Sequence, residues 1–361
     1  MNQTWSVRPY KEGDEKEIFE LTKVVWGYEV PEKERWMRGW RWLHLDNPAG
    51  TSIIWLAKHN GKTVGVHLLV MINMKIRGGS HKGGEPVDTM THPEYRYQGI
   101  SSTLGRKLLS EAEKKGICLE FAFPNQQNYP VRMKSGWFDV CAFQVMIKPL
   151  NLKNILRKYF VRNRLLLNIF TTGGNLIIKA FFRSKKVPGK VMSKVKEVSH
   201  FDDRISEFWD TISNDYDIIV VRNKKYLNWR YVYAPNADYT IYIAEESGNI
   251  CGYIVLGCGN KDNLRWGYIY DIIASTERED IIQCLLTKAV EYFMDAGVDA
   301  IFSKMVTNEI CRKGLSKNGF IPHFRFKGRF VAYNTFTKLF DVFLKNSKNW
   351  FIQLGDLSGV Y

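Results

Sequence analysis

Val87-Asp88-Thr89-Met90-Thr91-His92-Pro93-Glu94-Tyr95-Arg96-Tyr97-Gln98-Gly99-Ile100-Ser101-Ser102 decides how this chain is read. It has the pattern strand, turn, helix start. The strand is bounded by Gly83-Gly84 and His92-Pro93. The helix that follows carries Ile100, Leu104, Leu108 and Ala112 on one face, and Gly116 ends it. Between strand and helix sits Arg96-x-x-Gly99-x-Ser101. A glycine there lets the backbone approach a ligand. The amides of the first helical turn then point outward with the positive end of the helix dipole, a site for phosphate or pyrophosphate.

Asn125 follows Gly116, and the pair Gly136-Trp137 follows Asn125. With these the chain resembles the GNAT superfamily of acyl-CoA N-acyltransferases over residues 1–150. That family's pyrophosphate loop reads Gln/Arg-x-x-Gly-x-Gly/Ala after the fourth strand; here the last position is Ser101. The resemblance implies an acetyl-CoA donor, and no metal. It implies donor contacts from Arg96, Tyr97, Gln98, Gly99, Ile100, Ser101, Ser102 and Asn125, with strand amides near Met90 and Thr91 holding the acyl oxygen.

An acyl transfer to an amine also needs a base and an acid. Glu85 stands as far before Arg96 as the catalytic glutamate of the histone-acetylating GNAT branch, and Asp88 is the other candidate. Strand alternation puts the two on opposite faces unless a bulge intervenes, so only one is expected to reach the cleft. Asp271 takes the place of Asp88 in an internal repeat, which hints at a structural role for Asp88. The tyrosine that many family members use to protonate the thiol is replaced by Arg132. Tyr129 one turn earlier, water, or Arg132 itself could take its part. His92 reads as a turn residue, and His67, mid-strand, equally as a functional or a satisfied core histidine.

The expected order is a strand over 5–10, helices over 12–25 and 32–45, and strands over 53–58 and 63–76 joined by His59-Asn60-Gly61-Lys62. A strand over 117–123, a helix over 125–135 and a strand over 137–147 follow the loop and helix. This alternation is an α/β (α+β layered) domain. Trp36, Trp40 and Trp42 could stack on a sugar ring or fill the core, and the recurrence of Trp42 at Trp229 favours packing.

The second half repeats the first. Trp42, Pro48, Ala57 and Gly65 match Trp229, Pro235, Ala244 and Gly252 at an offset of 187; Asn125 and Gly136 match Asn308 and Gly319 at 183. We therefore expect two GNAT-type domains, each a mixed, mostly antiparallel sheet flanked by helices, over 1–150 and 195–335. A basic helical segment over 151–194 joins them, and a C-terminal tail covers 336–361. The second phosphate loop, Ser275-Thr276-Glu277-Arg278-Glu279-Asp280-Ile281, has no glycine and three acids, so this copy should not bind CoA.

The 361 residues carry a net charge of +15, and twelve basic residues with no acidic one fall between Asn151 and Lys196. Either two basic helices pack on the domains with a solvated face, or they touch an anionic membrane or lipid-linked phosphate. Nucleic acid has no recognisable module here. Six scattered cysteines lack metal or disulfide spacing, and neither a signal peptide nor a long apolar run is present, so a cytoplasmic protein is expected, with any membrane contact peripheral to the inner face. The leading reading is an acetyl-CoA-dependent N-acetyltransferase transferring directly to an amine. An amino sugar or other small amine of bacterial surface-polysaccharide metabolism is preferred, by loose resemblance. The alternatives are a Fem-like transferase using aminoacyl-tRNA and a non-catalytic CoA-binding scaffold.

Overall fold

The computed structural model describes residues 5–27, 31–151, 154–155, 195–306, 309–323, 328–334 and 340–358. The two basic helices expected within 151–194 and the repeat position Asn308 lie outside the described residues. Among the described residues no helix is long and apolar enough to cross a membrane.

The first half opens with β1 (Ser6–Pro9), α1 (Glu15–Trp26) and α2 (Lys33–His44). In α1, Glu15 and Glu17 sit at the positive end of the helix and Lys23 at the negative end, while Ile18, Phe19 and Leu21 are buried. Strands β2 (Ile53–His59) and β3 (Lys62–Ile76) form the expected hairpin, with Asn60 and Gly61 at φ 48° and 78°. Two consecutive positive φ values match the twist of paired strands. Strand β4 (Gly79–Thr91) starts before the glycine pair expected to bound it, after a second such turn at Arg77-Gly78. Gly83 and Gly84 stay inside the strand because side chains lie where their Cβ atoms would be. Met74 Sδ would be 2.7 Å away from one and Leu69 2.8 Å from the other. Then come α3 (Ile100–Lys114), β5 (Ile117–Ala122) and α4 (Asn128–Lys134).

The strand expected over 137–147 is two strands. β6 (Phe138–Ala142) belongs to the first sheet and β7 (Gln144–Pro149) to the second. The break is at Phe143, whose ring lies over Gly328 where a Cβ would sit 2.0 Å away. The second half supplies β8 (Val195–Val198), α5 (Arg204–Ile212), β9 (Ile218–Val220), α6 (Lys224–Tyr231), β10 (Thr240–Glu246) and β11 (Asn249–Lys261). It continues with β12 (Leu264–Ala274), α7 (Glu279–Asp295), β13 (Ala300–Met305), α8 (Glu309–Lys317), β14 (Ile321–Pro322), β15 (Arg329–Asn334), α9 (Asp341–Lys345) and β16 (Trp350–Phe351).

One sheet runs β1-β2-β3-β4-β5-β15-β6, with β9 and β16 extending it beside the end of β3. The other runs β14-β7-β13-β12-β11-β10-β8. Each is mostly antiparallel with one central parallel pair, β4 with β5 and β12 with β13. Both are flanked by helices, so the α/β layered fold class with two GNAT-type units holds. The sheets exchange strands, however: β7 from the first half pairs with β13, and β15 from the second inserts between β5 and β6. The boundary expected near residue 150 therefore does not divide the sheets.

Repeat positions occupy equivalent places. Ala57 pairs with Gly65, and Ala244 with Gly252, each followed by a register shift. A Cβ on Gly65 would meet Ile100 at 2.6 Å, and one on Gly252 would meet Ile281 at 2.8 Å, so each glycine lets its strand pack on a helix start. Trp42 and Trp229 stack on one another at 4.6 Å, and each indole N–H donates to the other's carbonyl at 3.0 and 3.2 Å. That reciprocity is what a two-fold relation between the halves requires.

Residues 340–358, expected as a tail, are packed inward. Trp350, Phe351, Gln353 and Asp356 are buried. The buried Arg222 pairs with Asp271 at 3.1 Å and Asp356 at 2.7 Å, and Arg230 donates to the carbonyls of Gly355 and Leu357 at 2.8 Å each.

Candidate active site

Strand β4 pairs with β5 only from Lys82 to Gly84, opposite Ile117 to Glu120. Beyond that point the two strands part. The backbone of β4 from Glu85 to Thr91 keeps β3 on one side and faces an open wedge on the other. A register shift opposite His67 marks a bulge, with Asp88 at φ 45°, a left-handed conformation uncommon for a residue other than glycine.

The bulge corrects the expectation that only one acid reaches the cleft. Glu85 and Asp88 both line a cavity of about 690 Å³. Its other walls are Ala122, Phe123, Asn125 and Arg132 from the first sheet's far side. The second sheet contributes Ile147 on the exchanged β7, Trp266, Tyr268, Phe302 and Lys304, and Leu354 and Leu357 close it.

Burial pushes the Glu85 carboxyl up to about 7, against hydrogen bonds from Ser358 and the charges of Arg230 and Lys304. The Ser358 backbone N–H donates to Glu85 Oε2 at 2.9 Å, and the Ser358 hydroxyl donates to the same oxygen. Burial likewise raises Asp88 to about 6. Among the described residues no donor reaches Asp88. Asp271 differs: Arg222 pairs with it and Tyr253 donates to it at 2.8 Å. The structural role hinted at by Asp271 thus does not carry over to Asp88.

At the loop, Gly99 caps α3 at φ 81°, and Thr103 N–H is the first amide to bond back, to Gly99 O at 3.0 Å. The amides of Ile100, Ser101 and Ser102 precede it. No side chain caps this end and no acid occupies the first turn. Ile100 is buried and anchors the helix on Gly65, while Arg96, Tyr97, Gln98 and Ser102 are exposed around the loop. Ser102 Oγ donates to Gly99 O at 2.9 Å, and Gln98 Nε2 donates to Glu94 O at 3.2 Å. Ser101 Oγ lies 3.1 Å from His67 Nε2, tying the helix start to β3. Burial, and then Arg132, lower His67 to about 3, so it is neutral at pH 7. His92 is the turn residue expected: its ring accepts from Glu94 N–H at 3.4 Å.

The corresponding end of α7 is built otherwise. Glu279 and Asp280 fill its first turn. Arg278 pairs with Asp280 and Glu246, and Asp215 already accepts from Ser275 Oγ and Thr276 N–H. A carboxylate stands where a phosphate would need those donors.

The remaining site residues separate. Met90 is buried in the core behind β4, and Thr91 pairs with Gly65. Asn125 lines the cavity but its Oδ1 caps α4, accepting from Gln127 and Asn128 N–H at 3.1 and 2.9 Å. Arg132 reaches the cavity with its guanidinium 4.4 Å from the Trp137 ring, and burial lowers its pKa against the pull of Glu120. Tyr129 does not reach it: its hydroxyl donates to Asp139 at 2.7 Å, and Asp139 also pairs with Arg329. That bond raises the Tyr129 pKa and turns the phenol away from the cleft. Trp40 and Trp42 are core, and Trp36 stacks on Trp40 at 5.9 Å, so none of the three lines the cavity. Sequence reasoning missed Ser358, Trp266, Tyr268, Phe302 and Lys304. No local motif marks them: four lie on β12 and β13 of the second sheet and Ser358 near the C-terminus, and only the fold brings them to β4.

The family described as "Acetyltransferase (GNAT) domain" matches residues 6–138. The chain carries a GNAT acetyltransferase domain, and it is an acyltransferase. The match covers β1 to the start of β6, the elements that make the loop and the wedge. No curated protein matches the sequence. Solved structures resemble this chain along most of its length. A probable N-acyltransferase from Enterococcus faecalis V583 superposes with a TM-score of 0.65 at 14% identity, over 94% of this chain and 74% of that one. Saccharomyces cerevisiae N-myristoyltransferase, solved with bound myristoyl-CoA and inhibitors, gives 0.61 at 14% over 92% and 81%. A GCN5-related N-acetyltransferase from Anabaena variabilis gives 0.62 at 12% over 91% and 72%. At such identities the likeness is one of fold.

Proposed function

We propose that this protein is an acetyl-CoA-dependent N-acetyltransferase that transfers directly to a small amine held between its two sheets. The preferred acceptor is an amino sugar, and the aromatic wall of Trp266, Tyr268 and Phe302 gives a sugar ring faces to stack on. One observation carries the reading. The wedge between β4 and β5 connects an uncapped helix N-terminus, suited to a pyrophosphate, with a cavity bearing two carboxyls of raised pKa.

In this reading the pyrophosphate lies on the first-turn amides of α3, and the thioester enters the wedge with its oxygen toward the free backbone edge of β4 near Met90 and Thr91. Asp88, unpartnered and on the cavity wall, takes the proton of the incoming ammonium. Glu85, held by Ser358, stands as the second carboxyl. The amine nitrogen bonds to the carbonyl carbon as the carbon–sulfur bond breaks. Arg132 offsets the charge on the leaving thiolate, which takes its proton from water. Tyr129, tied to Asp139, has no part.

Calorimetric titration of acetyl-CoA into the wild type and Gly99→Glu tests this. One site per chain, lost in the variant, is expected, because the new carboxylate at φ 81° both strains the loop and repels phosphate. Absence of binding by the wild type would refute the proposal.

A further inference from the structure

Lys304 lies on β13 beside Phe302, two positions away and so on the same face, and both line the cavity. Its Nζ sits 3.9 Å from the centre of the Phe143 ring and 4.6 Å from that of Phe123. Among the described residues no carboxylate, carbonyl or hydroxyl accepts from it. Two ring faces attract an ammonium but leave its three N–H donors unanswered. Burial lowers the group to about 8, and the charge of Glu85 pulls it back upward. A half-buried ammonium with no hydrogen-bond acceptor among the described residues is costly unless something completes it. The group lines the cavity, which also holds Glu85, Asp88 and Asp262.

We propose that the acceptor carries an anionic group, carboxylate or phosphate, close to its amine, and that Lys304 is the specificity residue that pairs with it. The inference rests on the proposed acyltransferase reading and adds the charge of the substrate. The two carboxyls then face the amine end and Lys304 the anionic end, which fixes the orientation of a small zwitterion in the wedge. Lys304 touches substrate through this pair alone and takes no proton in the transfer.

The test uses matched pairs of amines that differ in the anion: glucosamine 6-phosphate against glucosamine, and serine against ethanolamine. Thiol release from acetyl-CoA is followed for the wild type, Lys304→Met and Lys304→Arg. The melting temperature of each protein with coenzyme A and each amine reads binding without turnover. Met keeps an apolar stem between the two phenylalanine rings, and Arg keeps the charge. The wild type should favour the charged member of at least one pair by about 10- to 100-fold in kcat/KM, as expected for a hydrogen bond between charged groups. Lys304→Met should lose that preference through KM with acetyl-CoA affinity unchanged, and Lys304→Arg should keep it. Which pair responds tells phosphate from carboxylate. A preference that survives in Lys304→Met, or a wild type that favours the neutral members or neither binds nor uses any of the four, overturns the inference. If the wild type fails to bind acetyl-CoA, it is the proposed acetyl-CoA-dependent transfer that fails, and the melting shifts alone decide the role of Lys304.

Discussion

Replacing Glu85 by glutamine should make the protein gain stability relative to the wild type as pH rises above the acid range. The carboxyl is 6% exposed, and burial raises it from the ordinary 4.5 to about 7. A difference of that size between folded and unfolded chain is worth about 3 kcal/mol when the group is ionised. The sign follows from proton binding. Between about pH 4.5 and 7 the folded state holds a proton that the unfolded state has released, so wild-type stability falls as pH rises through this window. The loss is complete above 7 and absent below 4.5. Glutamine does not titrate, so its own offset, including any weakening of the Ser358 bonds, is the same at every pH. Urea unfolding of both proteins at pH 4.5, 6 and 8 isolates the pH-dependent part. The stability of Glu85→Gln relative to the wild type should rise by about 3 kcal/mol from the first pH to the last. A difference that stays flat across the three would show that Glu85 is not held above its ordinary range, and would remove it from the site's chemistry.

Asp88→Asn should lower kcat/KM about 100- to 10,000-fold with acetyl-CoA affinity retained, and wild-type activity should fall as pH drops through about 6, where Asp88 takes up its proton. Trp42→Ala should cost about 3–5 kcal/mol in urea unfolding, and the double variant with Trp229→Ala much less than twice that, because the two share one contact. Arg222→Met should cost about 3–5 kcal/mol, since Asp271 and Asp356 would both be left buried without their cation.

Local pattern carried much of this molecule. The Asn60-Gly61 turn, the apolar face of α3 and the run from Arg96 to Ser101 are each written in neighbouring residues, so they were legible. The matched positions Trp42 and Trp229, which stack on one another, and Gly65 and Gly252, each packed on a helix start, were legible because such contacts constrain residue type strongly. The rest depended on partners far along the chain. Strand periodicity gave one strand over 137–147, but not its division between the two sheets, nor the β15 that enters from the second half. Tyr129 looked available because Asp139 and Arg329, which hold it away, come together only in the fold. The alternation that separated Glu85 from Asp88 failed at a bulge that no glycine announced. Lys304 and Ser358 had no motif at all; their neighbours in the cavity come from the other half.

The exchanged strands also bear on how the protein is made. Asp139 on β6 waits for Arg329 on β15, 190 residues later, and between β5 and β6 the first sheet has a slot that only β15 fills. At translation speeds of about 5–20 residues per second, that slot stays open for about 10 to 40 seconds on the ribosome. The first half is thus synthesised first, and its sheet is finished last. A chain cut short after β7 would leave two strand edges facing an empty lane, and such unpaired edges are what chaperones cover on a nascent half-protein.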